Sequence, residues 1–152
     1  MLITDLDGTL LPASKEISVA DAAAISQFRA KGGKFAIATG RTLQAAQRYL
    51  NKLKPNIPVI LFNGAAIYDP VTEKWLYEKL PADAVAVTRQ VLDAFPDVSA
   101  EILRTDGTYV ARMTPYEKEH LEICQVEPIL AEPEGTPEVG SSAVCNCTRT
   151  NA

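Results

Sequence analysis

Two carboxylates stand two residues apart in Asp5-Leu6-Asp7-Gly8-Thr9, at the end of an aliphatic run. In an extended segment the side chains at i and i+2 leave the same face, so ionising both is costly without a counter-charge. A divalent cation such as Mg2+, held by oxygen ligands from Asp5 and Asp7, meets that need. One carboxylate then stays ionised as a nucleophile while its partner holds a proton for acid–base work. Gly8 permits a sharp turn that lets backbone N–H groups, those around Thr9 included, face an anion. Two further turns carry complementary chemistry. Thr39-Gly40-Arg41 offers a hydroxyl, an amide ahead of a helix and a guanidinium. Asn63-Gly64 adds a carboxamide on a flexible turn. Singly, each has an ordinary explanation as a tight turn or a helix entry. The Asp-x-Asp-Gly-Thr string is less ordinary: at typical residue frequencies of about 5 to 7%, its four specified residues arise by chance in a chain of this size roughly once in a thousand.

The elements that must position these residues alternate. Met1 to Leu6 is aliphatic on consecutive positions, which predicts a strand covered on both faces in a parallel sheet. Ser18 with Asp21 forms a capping box ahead of Ala22, Ile25 and Phe28 at helical spacing, and Gly32-Gly33 ends that helix. Lys34 to Thr39 reads as a second strand. A second helix follows, with Leu43, Ala46, Leu50 and Leu53 on one face, and then a third strand from Pro58 to Phe62. Strand, helix, strand, helix, strand is the signature of right-handed crossovers, and ligands of such sheets bind beyond the carboxyl ends of the strands. All three turns fall at such ends and open into one crevice.

Beyond Asn63-Gly64 the pattern changes. Ala66 to Tyr68 and Lys74 to Tyr77 flank Asp69-Pro70 as an antiparallel hairpin. Pro81 opens a helix with Ala84, Val87, Val91 and Phe95 on one face. Val98 to Arg104 and Tyr109 to Met113 are joined by the hairpin dipeptide Asp106-Gly107, and Pro115 starts another helix. The predicted organisation is 1–80 as an α/β, Rossmann-like parallel-sheet core, 81–126 as a smaller α+β unit, and 127–152 as a poorly structured tail.

Composition narrows the function classes. Fifteen Lys and Arg against nineteen Asp and Glu leave a net charge of -4, which provides no basic field for nucleic acid. No apolar run approaches the roughly 18 residues of a membrane span, and no signal-peptide pattern opens the chain. Three cysteines, all beyond residue 120, favour a reducing compartment, so a cytoplasmic protein is expected. Cys145 and Cys147 read as free thiols in the tail, and His120 as a solvated side chain flanked by Glu119 and Glu122. Trp75 is expected to pack where the core meets the unit that follows it.

The chain resembles the haloacid dehalogenase-like superfamily of phosphohydrolases, and within it the Cof-type, or IIB, sugar-phosphate phosphatases. The resemblance runs from Met1 to about Met113: Asp5 to Leu11 match the first motif, Ile37 to Arg41 the second, and Phe62-Asn63-Gly64-Ala65 a stretch typical of the Cof group. It implies a Mg2+-dependent phosphatase of small phosphorylated metabolites. Asp5 would attack phosphorus to form an aspartyl-phosphate, while Asp7 would protonate the leaving alcohol and then activate water. The Asp7 main-chain carbonyl would contact the metal. Thr39 would hold the phosphoryl group, with Arg41 and Asn63 facing substrate or phosphate. The helix-strand-strand unit after Pro81 resembles the first half of a mobile, substrate-choosing cap.

The family pattern also asks for a Lys that neutralises the aspartyl-phosphate and a Gly-Asp-x-x-Asn-Asp-like acidic loop, both downstream of the cap. Neither is present: the last Lys is Lys118 and the last Asp is Asp106. Two expectations follow. The chain is a C-terminally truncated form with impaired catalysis, and its first strand becomes an open apolar edge that promotes self-association. Two competing readings are a non-catalytic remnant that binds phosphate or a partner chain, and a phospho-accepting receiver domain. The second is disfavoured because the candidate nucleophile sits on the first strand.

Overall fold

A computed structural model describes residues 1–79, 83–130 and 144–149. The backbone divides into two compact units, Met1–Glu78 and Lys79–Ala152.

In the first unit β1 (Leu2–Thr4), α1 (Val19–Ala30), β2 (Phe35–Ile37), α2 (Leu43–Leu53) and β3 (Val59–Leu61) alternate as the hydrophobic pattern requires. β1 and β2 pair in parallel, Leu2 opposite Phe35 and Thr4 opposite Ile37. β3 joins them through a parallel bridge between Ala38 and Ile60, where the Thr39 N–H donates to the Ile60 carbonyl at 3.0 Å. The chain then doubles back. β4 (Ala66–Asp69) runs antiparallel to β3, and β5 (Lys74–Glu78) antiparallel to β4. The fold class is α/β, with parallel pairing at the N-terminal end of the sheet and a hairpin beyond it.

The two helices start where their side chains supply caps. Ser18 Oγ accepts the Asp21 N–H at 3.0 Å and donates to Asp21 Oδ2 at 2.6 Å. Thr42 Oγ1 accepts the Ala45 N–H at 3.1 Å, immediately after the Thr39-Gly40-Arg41 turn. Each such cap is worth about 1 kcal/mol. The core lies between β2, β3 and α2: Phe35, Ile37, Val59 and Leu61 are fully buried, and Ala45, Ala46, Tyr49, Leu50 and Leu53 form the inner face of the helix. β1 departs from the expected strand covered on both faces. Leu2 and Ile3 are 42% and 45% exposed, because among the described residues β1 has a strand neighbour only on its β2 side. Trp75 packs within this unit, its ring 5.0 Å from that of Tyr68 and 6.2 Å from that of Phe62.

The second unit contains α3 (Ala84–Ala94), β6 (Val98–Arg104), β7 (Gly107–Arg112), α4 (Pro115–Cys124), β8 (Ile129–Leu130) and β9 (Val144–Arg149), with sheet order β8-β7-β6-β9. The β6–β7 hairpin turns at Asp106 and Gly107 as expected, and Thr114 caps α4 ahead of Pro115. Pro81 lies outside the described residues.

Three expectations for this region are corrected. The inner face of α3 is Thr88 and Leu92, with Val85 against Ile102 and Tyr109, whereas Val87 and Phe95 are exposed. Both faces have apolar residues at helical spacing, and the helix packs on the sheet through the one that carries Val85. The tail expected to be loose contributes two strands: β8 lies parallel to β7, and β9 runs antiparallel to the whole of β6, placing Cys145 and Cys147 in register with Ile102 and Ala100. The rest of that tail, 131–143 and 150–152, lies outside the described residues. Finally, His120 is half-buried, with Nε2 3.7 Å from Cys124 Sγ and 4.0 Å from Glu101 Oε1. Its pKa is pushed up to about 9, first by Cys124 and then by the neighbouring carboxylates. No described helix is long and apolar enough to cross a membrane.

Candidate active site

The first motif is a tight reversal anchored by two buried leucines. Leu6 and Leu11 are 0% and 1% exposed. The Leu11 N–H donates to the Leu6 carbonyl at 2.7 Å, and the Gly8 N–H returns to the Leu11 carbonyl at 3.2 Å. Gly8 makes the reversal with φ 76°, a conformation that a side chain resists. Asp5, Asp7 and Thr9 are left on the exposed side. Asp5 Oδ1 accepts the Leu6 N–H at 2.7 Å, which orients its carboxylate.

Asp7 is held by two cations. Arg41 Nε donates to Oδ2 at 2.7 Å and Arg41 Nη2 to Oδ1 at 2.8 Å, a fork that matches the carboxylate. Lys15 Nζ reaches the same Oδ1 at 2.8 Å. The Arg41 guanidinium first, with Lys15 adding to it against the opposing effect of burial, holds the Asp7 carboxyl well below the usual carboxylate range.

The second and third motifs interlock. Thr39 is buried, and its Oγ1 accepts the Arg41 N–H at 3.3 Å. The Asn63 N–H donates to the Thr39 carbonyl at 3.2 Å, and the Phe62 N–H to the Arg41 carbonyl at 3.1 Å. Gly40 lies close against the Asn63 side chain: a Cβ at position 40 would lie 2.6 Å from Asn63 Oδ1, so any side chain there would require Asn63 to move. Phe62 and Asn63 are left-handed at φ 52° and 54° before Gly64 at 96°. Two such non-glycine residues cost on the order of 1 to 3 kcal/mol each and persist because the surrounding contacts fix them.

The structure thus brings Asp7 together with Arg41, and Gly40 together with Asn63, which joins the three strand-end turns. Asp5, Thr9 and Gly64 are open to solvent beside them. The counter-charges on Asp7 in this structure are those of Arg41 and Lys15. The exposed Asp5 carboxylate and the Asp7 main-chain carbonyl are the groups here that would hold Mg2+, and among the described residues no cluster of three or more His, Cys, Asp or Glu side chains joins them. Mg2+ keeps several of its waters and is commonly bound through one or two carboxylates together with substrate phosphate, so these groups fit it.

Two residues of the site were not singled out by sequence reasoning. Lys15 sits in the polar stretch Pro12 to Glu16, which resembles any connector. Tyr49 lies on the inner face of α2, where its Oη donates to the Lys15 carbonyl at 3.0 Å and its ring faces the Arg41 guanidinium at 5.3 Å. The signal for Tyr49 was its spacing from Ala45 and Ala46; for Lys15 there was none.

Comparison with known proteins finds relatives of this chain. A family model of haloacid dehalogenase-like hydrolases matches residues 2–134. The 5-amino-6-(5-phospho-D-ribitylamino)uracil phosphatase YitU of Bacillus subtilis (strain 168) is 30% identical over 125 residues, covering 80% of this chain and 44% of that protein. Two solved structures share the fold. A haloacid dehalogenase-like hydrolase from Bacteroides thetaiotaomicron matches with a TM-score of 0.74 at 21% identity, over 85% of this chain and 50% of its own. A haloacid dehalogenase subclass IIB sugar phosphatase matches with a TM-score of 0.69 at 22% identity, over 87% and 52%. The chain spans about half the length of these proteins.

Proposed function

The chain belongs to the haloacid dehalogenase-like hydrolases, and from that premise we propose that its first unit is an aspartate-based phosphoryl-transfer site for small phosphate monoesters in the cytoplasm. The observation that carries this reading is the joining of the first and second motifs through Asp7 and Arg41 beside an exposed Asp5. Asp5 attacks phosphorus: the new bond runs from a carboxylate oxygen to phosphorus, and the bond from phosphorus to the ester oxygen breaks. Asp7 is the acid–base partner: once its cations turn to the phosphate it takes up a proton from solvent, gives that proton to the departing alcohol, and as a carboxylate takes one from the water that later cleaves the acyl phosphate. Thr39, the Gly40 amide and Asn63 border the phosphoryl group, with Gly8, Thr9 and Gly64 supplying flexible backbone around it. The name of the B. subtilis relative, which specifies a phosphorylated ribityl compound, points to sugar or polyol phosphates as the substrate class. The second unit is read as part of a substrate-selecting cap.

A second reading, phosphate binding without turnover, is favoured by the double pairing of Asp7 and by the lack of a third metal-ligating carboxylate among the described residues. Hydrolysis of an aryl phosphate in the presence of Mg2+, the ion the resemblance implies, separates the two. Slow release that falls at least about a hundredfold in Asp5→Asn supports the transferase chemistry. Binding without release favours the second reading, and release indifferent to Asp5 removes the first.

A further inference from the structure

Arg41 alone already satisfies Asp7, one guanidinium N–H on each oxygen, and cancels its charge. Lys15 therefore brings a second positive charge to a carboxylate that does not need it. Its placement is built. The Lys15 backbone is left-handed at φ 57°, which disfavours a side-chain-bearing residue. That conformation is pinned at both ends: the Lys15 N–H donates to the Pro12 carbonyl at 2.9 Å, and the Lys15 carbonyl accepts the Tyr49 hydroxyl at 3.0 Å. Two residues on, Ile17 is buried, and its carbonyl accepts Lys52 Nζ at 3.1 Å. Tyr49 is itself 3% exposed, and its ring faces Arg41. One buried tyrosine ties down the Lys15 backbone and faces the Arg41 guanidinium, while Arg48 donates to its hydroxyl and lies over its ring at 4.6 Å.

We propose that Lys15 is a phosphate-binding residue of this site, a second cation that turns from Asp7 to the incoming phosphate dianion while Tyr49 keeps its backbone in place. This rests on the reading of Asp5, Thr39 and Arg41 given above. Asp5 and Asp7 carry two negative charges, and Arg41 and Lys15 two positive ones. A dianion arriving at Asp5 then meets a locally neutral surface. Without Lys15 the same dianion meets a net negative one, and both approach and attack by a carboxylate become unfavourable. Lys15 lies far from the position of the family's downstream lysine and performs the same electrostatic task from the loop ahead of α1. Tyr49 touches no substrate in this scheme and is a positioning residue.

The test is titration of the full chain with inorganic phosphate, followed by NMR shifts of the Gly40 and Arg41 amides, in wild type, Lys15→Gly, Lys15→Arg, Tyr49→Phe, Thr39→Val and the Lys15→Gly/Tyr49→Phe double variant. Lys15→Gly removes the charge but places at that position the residue most at ease with positive φ, so the thermal midpoint should hold or rise. Its phosphate affinity is expected to fall about tenfold, while Lys15→Arg stays within about threefold of wild type. Tyr49→Phe should weaken binding in the wild-type background and add nothing on top of Lys15→Gly. Lys15→Gly binding phosphate as wild type does, while Thr39→Val loses it, overturns the proposal and leaves the site reading standing. A wild-type chain indifferent to phosphate overturns both.

Discussion

Asp7 shows how a single residue's partners decide its behaviour. Its carboxyl sits below the ordinary carboxylate range because Arg41, and then Lys15, favour the charged form. A depressed folded-state value means that the unfolded chain binds the proton more readily in acid. The stabilisation is therefore complete above about pH 5 and drains away as the pH falls through and below the usual range near 4. The side chain is 39% exposed, so solvent screening keeps the contribution at about 1 kcal/mol or less at pH 7. Urea denaturation of wild type and Asp7→Asn should show a gap that narrows between about pH 5 and pH 3; a gap that stays constant contradicts the ion-pair account. At this scale the sequence was informative where chemistry is local. Asp5, Asp7, Thr39, Gly40, Arg41 and Asn63 could be nominated from type and spacing, and the partnerships Asp7–Arg41 and Gly40–Asn63 agree with one crevice. What spacing could not show is that the neutralising charge for two crowded carboxylates is contributed by a lysine eight residues on, carried by an unusual backbone conformation.

Among the elements, β1 has the most to reveal. Its hydrogen-bonding partner is β2, its outer edge pairs with no other described strand, and Met1, Leu2 and Ile3 are all substantially exposed. An apolar edge of this kind is a template for another strand. We propose that the chain self-associates through it: light scattering should report mass that grows with concentration and returns toward the monomer in Ile3→Lys. A monodisperse monomer across the concentration range removes the idea. The alternation of β1, α1, β2, α2 and β3 was legible because each helix carries its own cap and each strand ends at a turn residue. Ser18 with Asp21 and Gly32-Gly33 are enough to bracket α1. The face of α3 was not legible, since Val87 and Phe95 are as apolar as Leu92, and only the packing of β6 favours Thr88 and Leu92. Nor was β9: Cys-Asn-Cys-Thr-Arg has little of the aliphatic character of a strand, and its order comes from the backbone of Val98–Leu103.

The whole molecule comprises two units, each with its own sheet, and spans 44% of the B. subtilis relative and 50% of the Bacteroides thetaiotaomicron hydrolase. All the residues proposed for chemistry fall in the first unit, at the carboxyl ends of β1, β2 and β3 and on the loop that follows the first of these. The sequence could locate these ends because the crossover pattern places ligands there irrespective of the rest of the chain. It supplied the β4–β5 hairpin but not the pairing of that hairpin back onto β3, where Leu61 stands opposite Ala66 and Val59 opposite Tyr68. The account stands on one chemical claim, that Asp5 accepts a phosphoryl group. Incubating the full chain with acetyl phosphate and Mg2+, quenching in acid and mapping the peptides by mass spectrometry tests it most directly. The expected result is a hydroxylamine-labile phosphoryl group on Asp5 that disappears in Asp5→Asn. A chain that remains unmodified at Asp5, or whose modification persists in Asp5→Asn, would contradict it.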